Sequence, residues 1–291
     1  MSKATRNRTR NARERIAAQQ AAARKAEQRR RLLIVGGSVG LVLVIVVGFI
    51  VFKSLSKPAK NLGSGHLPAA VAKNITGVPA TTLAKIGTGA LPASGLPLKA
   101  ITDTPLTSAG KPEMLYIGAE FCPYCAAMRW SMAVAMSRFG TFGPFTGIHS
   151  SSTDVYPNTP TLTFVNQKYT SPYFTFTSIE HQKVNHALLQ PVTKAQQALW
   201  AKYDTTNGST GYPFIDFGNK AILTGPLFVP SVLHGLTWAQ VASQIKDPSS
   251  QVAQNVNGAA NYLTAAICKM TNNKPGSVCT AGPIPAIEAK L

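Results

Sequence analysis

Two cysteines separated by two residues, Cys122-Pro123-Tyr124-Cys125, are the residues of this chain whose types and spacing could do chemistry. A CxxC at the start of a helix brings two sulfurs within disulfide reach. The helix N-terminus carries partial positive charge and free N–H groups, and both favour a thiolate at the first position. Thiolate is the nucleophile of thiol–disulfide exchange. Cys122 is therefore the expected nucleophile. Cys125, one turn further in and more buried, is expected to resolve the mixed disulfide. Two other readings stand beside this one. A zinc site needs four ligands, and the remaining cysteines, Cys268 and Cys279, lie far downstream at a poor spacing for zinc. A structural disulfide needs no chemistry at all. Cys268 and Cys279 read as such a disulfide, closing a C-terminal loop in an oxidising compartment.

Other candidates are weaker. His149, His181, His186 and His234 form no ligand pattern, so no metal is expected. Glu120 lies next to the dithiol, where it could assist proton transfer or simply be a solvated acid. Trp130, Met132 and Met136 read as core. No Ser-His-Asp arrangement, phosphate loop or paired-carboxylate motif is present, and no cofactor is expected.

The elements that must position the dithiol are legible. Glu113–Ala119 is a short apolar run that reads as a buried strand ending just before Cys122. Met128, Met132, Ala135, Met136 and Phe139 fall on one face of a helix, with Pro123 in its first turn and Gly140 as a stop. Residues 159–180 read as one or two strands with a turn near Ser171-Pro172. Residues 193–203 read as a helix capped by Thr193, and 211–219 as a strand opened by Pro213. Residues 236–246 and 257–270 look helical. Residues 69–110 should give short helices and a strand or two packed on the main domain. Strands alternating with helices argue for an α/β fold.

The chain has 291 residues, 29 Lys+Arg against 11 Asp+Glu, and 45% apolar content, which excludes disorder throughout. Half of the +18 charge sits in residues 1–31, a basic tail. Residues 32–52 carry no charge, and a helix of that length spans a hydrocarbon core of ~30 Å. A buried core helix and a cleaved signal peptide are the alternatives; the missing polar stripe argues against the first, and the length and flanking sequence against the second. The charge bias places the N-terminus in the cytoplasm and the rest outside, as a single-pass protein of the cell membrane. The tail then reads as a topology signal attracted to anionic lipid. No recognition module accompanies the charge, so no nucleic-acid partner is expected. The expected organisation is a cytoplasmic tail (1–31), a transmembrane helix (32–52), a linker and N-terminal extension (53–89) and an extracytoplasmic domain (90–291).

Ala119-Glu120-Phe121-Cys122-Pro123-Tyr124-Cys125 resembles the thioredoxin superfamily, with the Pro-Tyr dipeptide usual in glutaredoxins. Tyr116–Phe142, Pro213–Asp216 and Ala265–Cys268 resemble an uncharacterised thioredoxin-like family of membrane-anchored bacterial and archaeal proteins. The resemblance covers roughly residues 90–280. It implies a thioredoxin-like fold with the CxxC at its first helix and Pro213 as a cis-proline facing the dithiol. It also implies an insertion between the CxxC helix and the cis-proline strand, as in periplasmic oxidases of the DsbA type. Two positions depart from the pattern. Tyr116 stands where thioredoxin has a buried carboxylate. Tyr212 precedes the cis-proline, where a small or β-branched residue is usual. Its backbone remains available to an extended substrate strand.

The function expected is a protein thiol–disulfide oxidoreductase. Cys122, Cys125 and Pro213 are the catalytic residues, and Pro123, Tyr124 and Tyr212 border the substrate. Its partners would be protein thiols or disulfides and a membrane redox protein, either a quinone-linked oxidase or a thiol-transferring reductase. The direction of electron flow stays open. The alternative is a thioredoxin-like binding module whose CxxC disulfide is structural.

Overall fold

The computed structural model describes residues 62–204 and 210–291. In chain order its strands are β1 (Gly65–His66), β2 (Leu98–Ala100), β3 (Thr107–Ser108), β4 (Lys111–Gly118), β5 (Thr141–Phe142) and β6 (Thr146–His149). They continue with β7 (Pro160–Thr163), β8 (Tyr169–Thr170), β9 (Thr175–Glu180), β10 (Phe214–Phe217) and β11 (Ala221–Thr224). The second half of β4, Met114–Gly118, is buried on both faces. That is why it reads as a continuous apolar run rather than an alternating one.

β4 is flanked by β9, parallel to it, and by β10, antiparallel to it. β11 pairs antiparallel with β10, and β2 with β11. The register sets Gly118 beside Glu180, and Ile117 beside both Ile179 and Phe214. Thus the end of β4, the end of β9 and the start of β10 meet at one edge of the sheet. That is the edge at which the chain leaves β4 for the CxxC.

Alternation along the strands gives the sheet two different faces. Met114, Tyr116, Ile215 and Phe217 join the main core, which includes the helices Pro123–Met136 and Gln251–Met270. Leu115, Ile117, Phe214 and Ile222 pack with Trp200 from the helix Lys194–Tyr203. Thr193 caps that helix through a reciprocal capping box with Gln196. Ahead of β2, the helices Ala69–Thr76 and Ala80–Ile86 bury Val71, Ile75, Leu83 and Ile86.

Several expectations need correction. Residues 159–180 hold three strands, β7, β8 and β9. The expected turn at Ser171, which binds Phe139 O and the Tyr173 N–H, separates β8 from β9. A second turn, closed by the Gln167 N–H on Phe164 O, separates β7 from β8. The helix expected at 257–270 begins at Gln251, capped by Ser250, whose hydroxyl accepts from Ala253 N. Its first turns are polar outside. Asn257 and Asn261 are nonetheless buried, where they donate to Ile245 O and to Leu83 O and Gly87 O.

The membrane element is the larger correction. No helix among the described residues is long and apolar enough to cross a membrane. The longest, Gln251–Met270, is interrupted by Gln254, Asn255, Asn257 and Asn261. Residues 1–31 and 32–52 lie outside the described residues. Among the described residues the fold is mixed α/β, and none of their helices is the expected transmembrane one. The single-pass placement with an extracytoplasmic domain rested on a helix at 32–52, and no described helix supplies such a span.

Cys268 and Cys279 are joined in a disulfide that ties the long helix to the short helix Gly276–Cys279. It closes a loop with a separation of 11 residues. Loop-closure entropy then gives about 3 kcal/mol of stabilisation. Replacing both cysteines with Ala should lower the unfolding free energy by that amount in urea titration. A loss under about 0.5 kcal/mol would mean that the unfolded chain holds the loop closed without the disulfide.

Candidate functional site

The CxxC sits where β4 hands over to a helix. Cys122 has extended backbone (φ −73°, ψ 118°) and occupies the N-cap, with Pro123 in the first turn. Its Sγ accepts a hydrogen bond from the Cys125 N–H at 3.2 Å. A sulfur in the N-cap position satisfies a helix N–H that otherwise has no partner, and it does so best as an anion. Both cysteines are free thiols. Cys122 is 5% exposed and Cys125 fully buried.

Their environments push the two thiols apart. The hydrogen bond between the Cys125 and Cys122 side chains lowers the Cys122 pKa, burial opposes this, and the Cys125 N–H and the Arg129 charge add to the lowering. The net shift is downward from the ordinary thiol value. Burial pushes the Cys125 thiol well up, reinforced by its neighbour Cys122. One sulfur is poised to be a thiolate and the other to keep its proton.

Aromatic side chains border the pair. Phe121, Tyr124 and Tyr212 pack against a buried cluster of Ala119, Cys122 and Cys125. Tyr124 meets Tyr156 edge-on at 5.8 Å. The Tyr212–Pro213 peptide is cis, and Pro213 O accepts from Gly225 N. The Tyr212 ring lies 6.0 Å from Phe121 and 5.2 Å from Trp200, and its hydroxyl pairs with His181 Nδ1 at 2.6 Å. His186 covers the Phe121 ring at 4.0 Å. The structure thus brings Cys122, Cys125, Tyr124 and Tyr212 together, with Pro213 entering the neighbouring strand and Pro123 opening the helix. Glu120 is held by the Thr163 hydroxyl at 2.7 Å. It lines a cleft of about 620 Å³ with Ile148, Val165 and Lys183.

Cys268 and Cys279 are far from this role, being bonded to each other, and so cannot complete a zinc site with the CxxC. Among the described residues, no group of three or more His, Cys, Asp or Glu side chains is placed to hold a metal ion.

Beneath the dithiol lies a feature that the sequence reading missed. Arg129, on the CxxC helix, donates Nε to Glu180 Oε1 at 2.8 Å and Nη2 to Glu180 Oε2 at 2.6 Å. Nη2 also donates to Ala119 O at 2.8 Å. Both side chains are fully buried. Burial pushes the Glu180 carboxyl up, while the Arg129 charge and its hydrogen bonds pull it back. The available signal was Arg129 itself, the sole charged residue within Pro123–Met136. Its partner, 51 residues away, had no local signature. Tyr116, beside this pair, is fully buried, and its hydroxyl has no hydrogen-bond partner.

Neither the comparison with curated proteins nor that with solved structures finds a match. A family model described as "Domain of unknown function (DUF929)" matches residues 98–269, a stretch that runs from β2 almost to the end of the long helix and includes both cysteines of the CxxC. That match covers more than half of the chain, which therefore belongs to the DUF929 family.

Proposed function

We propose that the protein is a thiol–disulfide oxidoreductase acting on cysteines of other proteins through Cys122 and Cys125. The observation that carries the reading is the Cys122 sulfur in the N-cap position, accepting the Cys125 N–H, with a protonated thiol buried behind it. The thioredoxin-like assignment is supported by the strand–CxxC–helix unit and by the cis peptide before Pro213 on the adjacent strand.

In the reducing direction the Cys122 thiolate attacks one sulfur of a substrate disulfide. A Cys122–substrate disulfide forms, and the other substrate sulfur leaves as a thiolate that takes a proton from water. Cys125 then loses its proton to solvent and attacks Cys122 Sγ. The Cys122–Cys125 disulfide forms, and the second substrate thiolate departs. Two electrons pass from the dithiol to the substrate. Oxidation of a substrate dithiol is the same sequence reversed. A polypeptide substrate fits the aromatic border of Phe121, Tyr124 and Tyr212 better than a small polar thiol does.

Equilibration of the chain in graded glutathione buffers tests this, with the Cys122–Cys125 couple read by alkylation and mass. A midpoint of about −120 to −180 mV supports an oxidase or isomerase, and one near −270 mV a reductase. A couple below about −300 mV that exchanges slowly overturns the enzyme reading and leaves a structural disulfide.

A further inference from the structure

The Arg129–Glu180 pair is costly where it stands. Removing two charges from water costs several kcal/mol per ion, and apolar replacements of such pairs are often neutral or stabilising. Stability alone therefore gives the pair no purpose. Its geometry is one-sided. Glu180 takes Nε and one proton of Nη2, and Ala119 O takes another. Nη1 is buried and has no partner. Arg129 follows Cys125 by four residues, so both project from one face of the helix. Ala119, which holds the guanidinium, packs directly against Cys122 and Cys125. The carboxylate comes from β9, and its Oε1 also accepts from Phe164 N at 3.3 Å. The cation is thus held toward the dithiol and the anion behind it. Its electrostatic effect follows: Arg129 draws both cysteines toward thiolate, and at Cys125 it outweighs the opposing push of Glu180.

We propose that Arg129 is a positioning residue for the dithiol: a fixed internal cation, aimed by Glu180 and the Ala119 carbonyl, that balances the negative charge of the cysteine pair. Its use in catalysis rests on the oxidoreductase reading, but the charge coupling exists without substrate. The competing role is a staple between the CxxC helix and β9, with no effect on the sulfurs. Charge on Cys125, which has no helix N–H of its own to receive it, depends on Arg129 most. Tyr116, with an unspent hydroxyl at the same place, stands where a carboxylate would have opposed the thiolate.

The test is thiolate absorbance at 240 nm against pH on the reduced full chain, with iodoacetamide alkylation of Cys122 at pH 7 and a urea titration confirming the fold. Arg129→Met with Glu180→Met removes both charges and leaves no orphaned ion. It should raise the thiolate midpoint by about one pH unit and slow alkylation at pH 7 up to about tenfold. Glu180→Gln keeps the cation and removes the opposing charge, so its midpoint should fall. Opposite signs in the two variants support the proposal. Unchanged midpoints, or a shift in the same direction in both, overturn it in favour of the staple. If the double variant does not fold, Glu180→Gln decides alone: a fall supports the proposal, and no change or a rise overturns it. Exchange by the wild-type chain with unmoved midpoints would sink this inference and leave the enzyme reading. Moved midpoints in a chain that exchanges no disulfide would do the reverse.

Discussion

Cys122→Ser should bring disulfide reduction by the chain down to the background of the buffer thiol, a loss of at least about a thousandfold. Cys125→Ser should instead arrest the reaction halfway. The Cys122 thiolate remains and still attacks, but nothing displaces the substrate from it. The variant should accumulate a substrate adduct visible on a non-reducing gel and released by dithiothreitol. The asymmetry follows from the site. Cys122 sits at the N-cap and is 5% exposed, whereas Cys125 is fully buried. Equal losses without an adduct would mean that the two sulfurs are equivalent, and would contradict the division of labour. The pH dependence has a definite sign. The folded pKa of Cys122 lies below the ordinary thiol value. The thiolate therefore stabilises the reduced fold fully above the unfolded thiol pKa, and this stabilisation is lost as pH falls through the lowered folded value. Attack should slow over the same interval, because only the thiolate is nucleophilic. Urea titrations of the reduced and oxidised forms across that window should show the reduced form losing stability toward acid relative to the oxidised form.

Much of this arrangement is written locally in the chain. The run Met114–Gly118 announces a strand because both of its faces are covered. The position of Pro123 and the spacing of Met128, Met132 and Met136 announce the helix that follows. Thr193 announces a cap by its own side-chain chemistry. What escaped the sequence depends on distance or on context. The helix Gln251–Met270 starts in a polar segment whose fate is fixed by Ser250 and by carbonyls elsewhere in the fold. His181 carries no motif, yet β9 ends where its ring reaches the Tyr212 hydroxyl. Glu180 looks like an ordinary acid at the end of a strand until β4 and β9 pair in parallel and set it under the dithiol. The uncharged run 32–52 illustrates the opposite case, in which a strong local pattern supported a placement that no described helix carries.

The burial of the Arg129–Glu180 pair leads to the second large effect. Arg129→Met alone should destabilise the fold by about 3–5 kcal/mol, because it strands a carboxylate in an apolar interior. The Arg129→Met, Glu180→Met double variant should recover most of that loss, since neither charge is then left without its partner. The deficit of the single variant should also depend on pH. Burial already holds the Glu180 carboxyl above its ordinary value in the presence of Arg129, and removing the cation takes away the main opposing influence. A carboxyl whose folded pKa is raised contributes stability that is fully present below the unfolded value and is lost as pH rises through the folded one. Urea titrations at pH 5 and pH 8 should therefore show the smaller gap from wild type at pH 5. A single variant within about 1 kcal/mol of wild type at both pH values would show that water reaches Glu180, and would remove the closed, low-dielectric setting on which the coupling between Arg129 and the cysteines depends.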